Sequence, residues 1–161
     1  MPTTYPMPIQ EAIRDVIADL LGKGVAVDKT SPLELEDNDF AVVSHLISDD
    51  GHLAAVLVGD LSLVANLGAA LTLVPVIVAQ QSVKKNRLEE EMLLENYGEI
   101  INVMSRLFNT ASTPHVRYVS TMMIAEISPE IAALRETYAA RRTFAIKVEG
   151  YGEGRLEISV G

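Results

Sequence analysis

The chain has 161 residues, of which 48% are hydrophobic and 22% are charged, a balance typical of one folded domain over residues 1–161 and not of a disordered chain. Its net charge of −9 argues against a nucleic-acid partner, because phosphate binding needs concentrated Lys and Arg. The chain has no cysteine, which excludes disulfides, thiolate nucleophiles and cysteine-based metal sites.

The N-terminal part is predicted to contain a helix followed by a strand. The first ten residues lack the basic region and apolar run of a signal peptide, so we expect a cytoplasmic protein. Pro8 suits the first turn of a helix, apolar residues recur at helical spacing from Ile9 to Leu21, and Gly22 ends the pattern. A strand is predicted from Val25 to Leu35, and a polar turn at residues 36–39.

Two β-rich runs, residues 40–48 and 52–59, are separated by Asp49-Asp50-Gly51. Asp-Gly between apolar runs is a strong hairpin signal. Because the second run is apolar nearly throughout, we expect it to be a central strand of a sheet.

The segment from Leu61 to Gln81 contains no charged residue and is long enough to be considered as a membrane span. Asn66, Thr72 and Pro75 interrupt it, and it lacks basic residues on its N-terminal side. The favoured interpretation is a buried helix near residues 62–74 that Pro75 ends.

The stretch from Ser82 to Asn109 is predicted to be one long helix with Ser82 as N-cap, because it has no proline and is rich in helix formers. At ~1.5 Å per residue it would span roughly 40 Å. Its apolar stripe is predicted to be core and consists of Leu93, Tyr97, Ile100, Met104, Leu107 and Phe108. The opposite, solvent-facing side carries Glu95, Glu99, Asn102 and Arg106. Glu99 and Asn102 are therefore expected one turn apart on an exposed surface.

The C-terminal part is predicted to form a strand over residues 116–124, a short helix and a hairpin. Ser128 followed by Pro129 fits the N-cap and first position of the helix. The hairpin pairs residues 143–149 with 155–160. Strands in hairpins interrupted by helices predict an α+β fold, with a mostly antiparallel sheet and the helices on one face.

Several common sites find no support in the sequence. No Gly-rich phosphate loop and no nucleophile elbow occur. The three histidines, His45, His52 and His115, are scattered without a ligand-like spacing, so we expect neither a metal site nor a cofactor of the protein's own.

The polar side of the long helix resembles the signature of the CheC/CheX/FliY family, phosphatases that act on phosphorylated CheY-type response regulators. That signature is an acidic residue or serine, three intervening residues, a glutamate, two intervening residues and an asparagine. Here it consists of Glu95, Glu99 and Asn102. Gly98 and Glu99 also match the Gly-Glu-Ile common in that helix.

The likeness extends to residues 8–22, 49–71 and 153–160, which resemble the first helix, a strand-then-helix segment and the last strand of the family. A single signature favours the CheX branch, since CheC and FliY carry two. The chain departs from the family after Asn102, where the small, glycine-containing stretch is replaced by residues 103–107. Ala125 stands where the family has a proline.

The resemblance implies dephosphorylation of a CheY-like response regulator, with Asn102 positioning the attacking water and Glu99 pairing with the regulator's lysine. It places Glu95, Gly98 and Arg106 at the partner-binding surface, puts Mg²⁺ on the regulator, and suggests a homodimer. Two alternatives stay open. One is a non-catalytic module that docks a regulator or a second copy of itself; the other is a membrane-associated protein. By itself, Glu-x-x-Asn on an exposed helix is also ordinary solvated surface.

Overall fold

The fold is taken from a computed structural model, which describes residues 5–35 and 39–161. The helices in these ranges are α1 (Gln10–Leu21), α2 (Leu61–Leu71), α3 (Val76–Lys85), α4 (Glu91–Met104) and α5 (Pro129–Glu136). The strands are β1 (Val25–Thr30), β2 (Ala41–Ser48), β3 (Leu53–Asp60), β4 (Val116–Met123), β5 (Ala140–Val148) and β6 (Gly152–Val160). Of the predicted polar turn, residues 36–38 lie outside the described residues.

The strands form one antiparallel sheet in the order β1-β5-β6-β3-β2-β4. Both predicted hairpins form, β2 with β3 and β5 with β6. β3 lies between β6 and β2 and is buried over residues 54–59, so the central strand is also confirmed. The α+β class with an antiparallel sheet is therefore confirmed, and β1 and β4 form its two edges.

The two faces of the sheet bury different clusters, because successive side chains of a strand point to opposite sides. Leu46 and Leu57 face the larger core, which also includes apolar residues of α1, α2 and α4. Val43 and Val58 face a smaller cluster that Ile131 of α5 covers. Three helices thus pack on one face, as predicted, but the short α5 lies on the other face, which the prediction of helices on one face did not include.

The prediction of one helix from Ser82 to Asn109 is wrong. The helix is interrupted between α3 and α4, and a 3₁₀ turn at Ser105–Phe108 follows α4. Asn86 takes a left-handed conformation with φ of 55°, which asparagine tolerates better than most residues. Ser82 is buried in the last turn of α3 and is not an N-cap. Its hydroxyl donates to the carbonyl of Val78 and accepts the N–H of Glu89, both at 3.0 Å, and so stabilises the break.

The uncharged segment folds as two short helices, α2 and α3, separated by residues 72–75. The carboxylate of Asp60 caps α2 by accepting the N–H of Leu63 at 2.9 Å, and α2 is the predicted buried helix. α2 ends at Leu71 and not at Pro75, which stands directly before α3. Among the described residues, the structure shows no helix with the length and apolar character that crossing a bilayer requires.

Most local signals at element ends are confirmed. Gly22, with φ of 65°, ends α1, and the hydroxyl of Ser128 accepts the N–H of Ile131 at the start of α5. Pro8 precedes α1 instead of lying in its first turn, since Ile9 is the N-cap. β1 stops at Thr30, short of the predicted end, where the chain reaches Ser31 and Pro32.

Candidate functional site

α4 is held against α2 by a close approach of the two backbones. Gly68 of α2 lies against α4, and a β-carbon there would collide with the carbonyl oxygen of Leu93. The side-chain amide of Asn96 donates to the carbonyl of Gly68 at 2.8 Å and to the hydroxyl of Thr72 at 2.9 Å. These contacts fix the rotation of α4 about its own axis and so decide which side chains face outward.

The two predicted sides of the helix are confirmed. Tyr97 is fully buried, and burial, more than the neighbouring Asp60 and Tyr118, raises the pKa of its hydroxyl well above the usual range. The remaining stripe residues are buried except for the half-buried Leu107. The outward-facing and exposed residues are Glu95, Glu99, Asn102 and, in the 3₁₀ turn, Arg106.

Glu99 and Asn102 line a groove of about 350 Å³ between α4 and the edge strand β4. The full lining is Leu94, Glu95, Gly98, Glu99, Asn102, Tyr118 and Thr121. Asn102 lies in the last turn of α4, where the hydroxyl of Ser105 donates to its backbone carbonyl at 2.5 Å. Within residues 5–35 and 39–161 the Glu99 carboxylate and the Asn102 carboxamide make no hydrogen bond or ion pair, so both side chains are available to a partner.

Tyr118 and Thr121 supply the β4 side of the groove, and sequence reasoning missed both. Leu46 of β2 pairs with Tyr118, whereas His45 pairs with Ser120, so Val119 is an extra residue that forms a β-bulge. The bulge turns Tyr118 and Thr121 to the same face, although residues three apart in a regular strand point to opposite faces. No motif in the sequence marks this irregularity.

The floor of the groove is closed by Gly98. A β-carbon at this position would lie 3.0 Å from the hydroxyl oxygen of Tyr118 and 3.7 Å from that of Thr121. Gly98 is therefore buried against its own β4, and the groove is open above it. Arg106 and Leu107 do not line the groove; the Nε of Arg106 donates to the carbonyl of Val103 at 3.1 Å.

The histidines are not grouped. Burial lowers the pKa of His45, which lies within β2, and Nδ1 of the exposed His52 lies 3.0 Å from a carboxylate oxygen of Asp50. Across the described residues, no group of three or more His, Asp or Glu side chains is arranged to hold a metal ion.

The chain matches no protein-family model and no curated protein sequence. Solved structures with the same fold include FliY of Thermotoga maritima, with 15% identity, a TM-score of 0.60, and coverage of 93% of this chain and 82% of FliY. The FliM middle domain of H. pylori has 8% identity, a TM-score of 0.60, and coverage of 94% and 84%. A complex of CheX with CheY, BeF3 and Mg²⁺ from Borrelia burgdorferi has 11% identity, a TM-score of 0.51, and coverage of 93% of each chain.

These similarities show an α+β fold of the flagellar-switch and chemotaxis type. More particularly, the chain has the fold of the CheC/CheX/FliY proteins, so the predicted resemblance is confirmed at the level of the fold. The CheX branch is not distinguished from FliY and the FliM middle domain, which superpose at least as well.

Proposed function

We propose that this protein is a cytoplasmic signalling protein that binds a CheY-like response regulator and accelerates hydrolysis of its aspartyl phosphate. One observation carries the proposal: the Glu99 carboxylate and the Asn102 carboxamide, neither of which has a partner among the described residues, lie one helical turn apart in an open groove. The fold supports it, because a protein with this fold occurs in complex with CheY.

The chemistry requires a positioned water. Hydrolysis of an acyl phosphate proceeds by in-line attack, and the regulator's own Mg²⁺ and lysine balance the charge of the phosphoryl group. A carboxamide can both donate to and accept from a water without acting as a nucleophile. Asn102 is proposed to hold that water, and the gain from orientation is worth several kcal/mol.

Glu99 is proposed to pair with the regulator's lysine and so to set the register of docking. Glu95, one turn before it on the same exposed side, and Arg106, just beyond the groove, would contact the rim of the partner. Gly98 lines the groove, but its missing side chain makes room for the hydroxyl of Tyr118 on the protein's own β4, so its proposed part in partner binding is to keep α4 close to β4. No cofactor of the protein's own is needed, since Mg²⁺ would come with the regulator.

A homodimer is also part of the proposal. The two edge strands, β1 and β4, leave backbone groups unpaired within the sheet. The groove lies at β4, so association of two copies through β1, at the opposite edge of the sheet, would leave Glu99 and Asn102 accessible. Sedimentation at several protein concentrations tests this point separately from activity.

The test is dephosphorylation of a phosphorylated CheY-type regulator by wild type, Asn102→Ala and Glu99→Ala. Wild type should accelerate the decay, Asn102→Ala should bind but lose roughly 100-fold in rate, and Glu99→Ala should bind poorly. Gln81→Ala and Glu136→Ala remove an exposed carboxamide and an exposed carboxylate outside the groove and should behave as wild type.

The second candidate is a binding module without turnover, favoured by the departure from the family over residues 103–107. It predicts the same decay rate with and without the protein, together with binding that Glu99→Ala weakens. Unchanged decay would therefore overturn the phosphatase proposal and leave the binding role.

A further inference from the structure

A second pocket lies at the edge of the sheet opposite the groove, where β1 ends. Its volume is about 230 Å³. Three cationic and three hydroxyl side chains line it: Lys29, Arg141, Arg142, Thr30, Thr143 and Tyr138. None of the lining residues in the described part of the chain is acidic, although the protein as a whole has a net charge of −9.

The pocket exists because β5 extends past the end of its neighbour. β1 pairs with β5 from Val25 opposite Val148 to Thr30 opposite Thr143. β5 begins three residues earlier, at Ala140, and there it pairs with β6 alone. A strand presents polar groups to both neighbours, so the backbone N–H and C=O groups that this short stretch directs away from β6 have no strand partner among the described residues.

The positive charge of the pocket is only partly neutralised. Arg141 contacts the buried carboxylate of Glu157, and its guanidinium lies 5.6 Å from the ring of Tyr138, so its position is fixed. Glu157 also binds Arg135 at 2.8 Å, so one carboxylate serves two guanidinium groups. Lys29 and Arg142 are exposed and make no ion pair or hydrogen bond within the described residues.

We propose that this pocket binds a compact anion that carries a phosphate group, either inorganic phosphate or a small phosphate monoester. Lys29 pairs with Phe144, two residues from Arg142, so both cationic side chains lie on the same face of the sheet. Arginine and lysine side chains form short, charge-assisted hydrogen bonds to phosphate oxygens. An acidic peptide added as a strand fits less well, because three open residues span only about 10 Å, less than an ordinary strand.

Isothermal titration of the intact protein with inorganic phosphate and with glycerol 3-phosphate, at constant ionic strength, tests the proposal. Wild type should show saturable binding, and Lys29→Gln and Arg142→Gln should each weaken it about tenfold, the loss expected for one charge-assisted hydrogen bond. Lys147→Gln removes an exposed cation of β5 that does not line the pocket and should bind as wild type. The ratio of the two affinities distinguishes the free anion from the ester.

Three results would overturn the proposal: no saturable binding by wild type at millimolar ligand, equal weakening by Lys147→Gln, or tighter binding of an acidic peptide than of either phosphate. Because all three substituted side chains are exposed, thermal unfolding should confirm that each variant folds as wild type does.

Discussion

The hydroxyl oxygen of Tyr118 lies 2.7 Å from Oγ1 of Thr121, although both belong to β4 and are three residues apart. The same Oγ1 lies 2.7 Å from the hydroxyl of Ser44 on β2. The bulge at Val119 makes this chain of three hydroxyls possible by turning Tyr118 and Thr121 to one face. These three hydrogen-bonded hydroxyls support the wall of the groove that faces Glu99 and Asn102.

Thr121→Val should destabilise the protein more than Tyr118→Phe. Thr121 is the central member of the network, so its loss leaves the hydroxyls of Ser44 and Tyr118 without this partner. The substitution should lower the free energy of unfolding by about 1–3 kcal/mol. Tyr118→Phe leaves the hydrogen bond between Ser44 and Thr121 intact and should lower the free energy of unfolding by about 1 kcal/mol. Urea unfolding monitored by circular dichroism gives both values, and the reverse order would contradict this account of the network.

Gly98→Ala should stabilise a Tyr118→Phe background more than it stabilises wild type. Alanine in a helix interior is ordinarily favoured over glycine by about 1 kcal/mol. In wild type the new methyl would lie 3.0 Å from the hydroxyl oxygen of Tyr118, a contact that opposes this gain. A double-mutant cycle of unfolding free energies measures the difference, and strict additivity would show that the contact carries no strain.

Ser82→Ala should cost about 1–3 kcal/mol of unfolding free energy, because it leaves the N–H of Glu89 without the hydroxyl that accepts it. The local signature should be faster amide hydrogen exchange over residues 86–90, which connect α3 and α4. Ser112→Ala, at an exposed loop position, is the matched control and should change stability little. Equal effects of the two substitutions would mean that Ser82 does not stabilise the break.

Asp60 should make folding less favourable as the pH rises. Burial raises its pKa, even though the N–H groups of Leu63 and Arg155 donate to its carboxylate and lower it. A carboxyl group whose pKa is higher in the folded state stabilises the fold at low pH, and this contribution is lost as the pH rises through the folded-state pKa.

Asp60→Asn removes that titration and keeps an oxygen that can accept the Leu63 N–H. The unfolding free energy of the variant minus that of wild type should therefore increase as the pH rises from the ordinary range of an aspartate through the raised folded-state pKa of Asp60, and then level off. Urea titrations at each pH provide the measurement. A difference that is constant, or that falls with rising pH, would contradict the assigned direction of the shift.

Sequence alone determined the elements whose signals are local. The Asp-Gly hairpin, the Gly22 and Ser128 caps and the inward and outward sides of α4 all depend on residues within one or two turns of each other. The exposure of Glu99 and Asn102 followed from the same periodicity. The long helix failed as a prediction because helix propensity extends smoothly through residues 86–90, whereas the break depends on a buried serine hydroxyl.

Only the tertiary structure decided which residues lie across the groove from Glu99 and Asn102. The groove needs the bulge at Val119, which only the pairing of β4 with β2 reveals. The cationic pocket at Lys29 and Arg142 forms because β5 extends three residues past the end of β1. The pairing of these two strands brings Lys29 near Arg142 from a distant part of the sequence. Both sites arise from the register of strands far apart in sequence, and register is set by the packing of whole faces and not by any short stretch of residues.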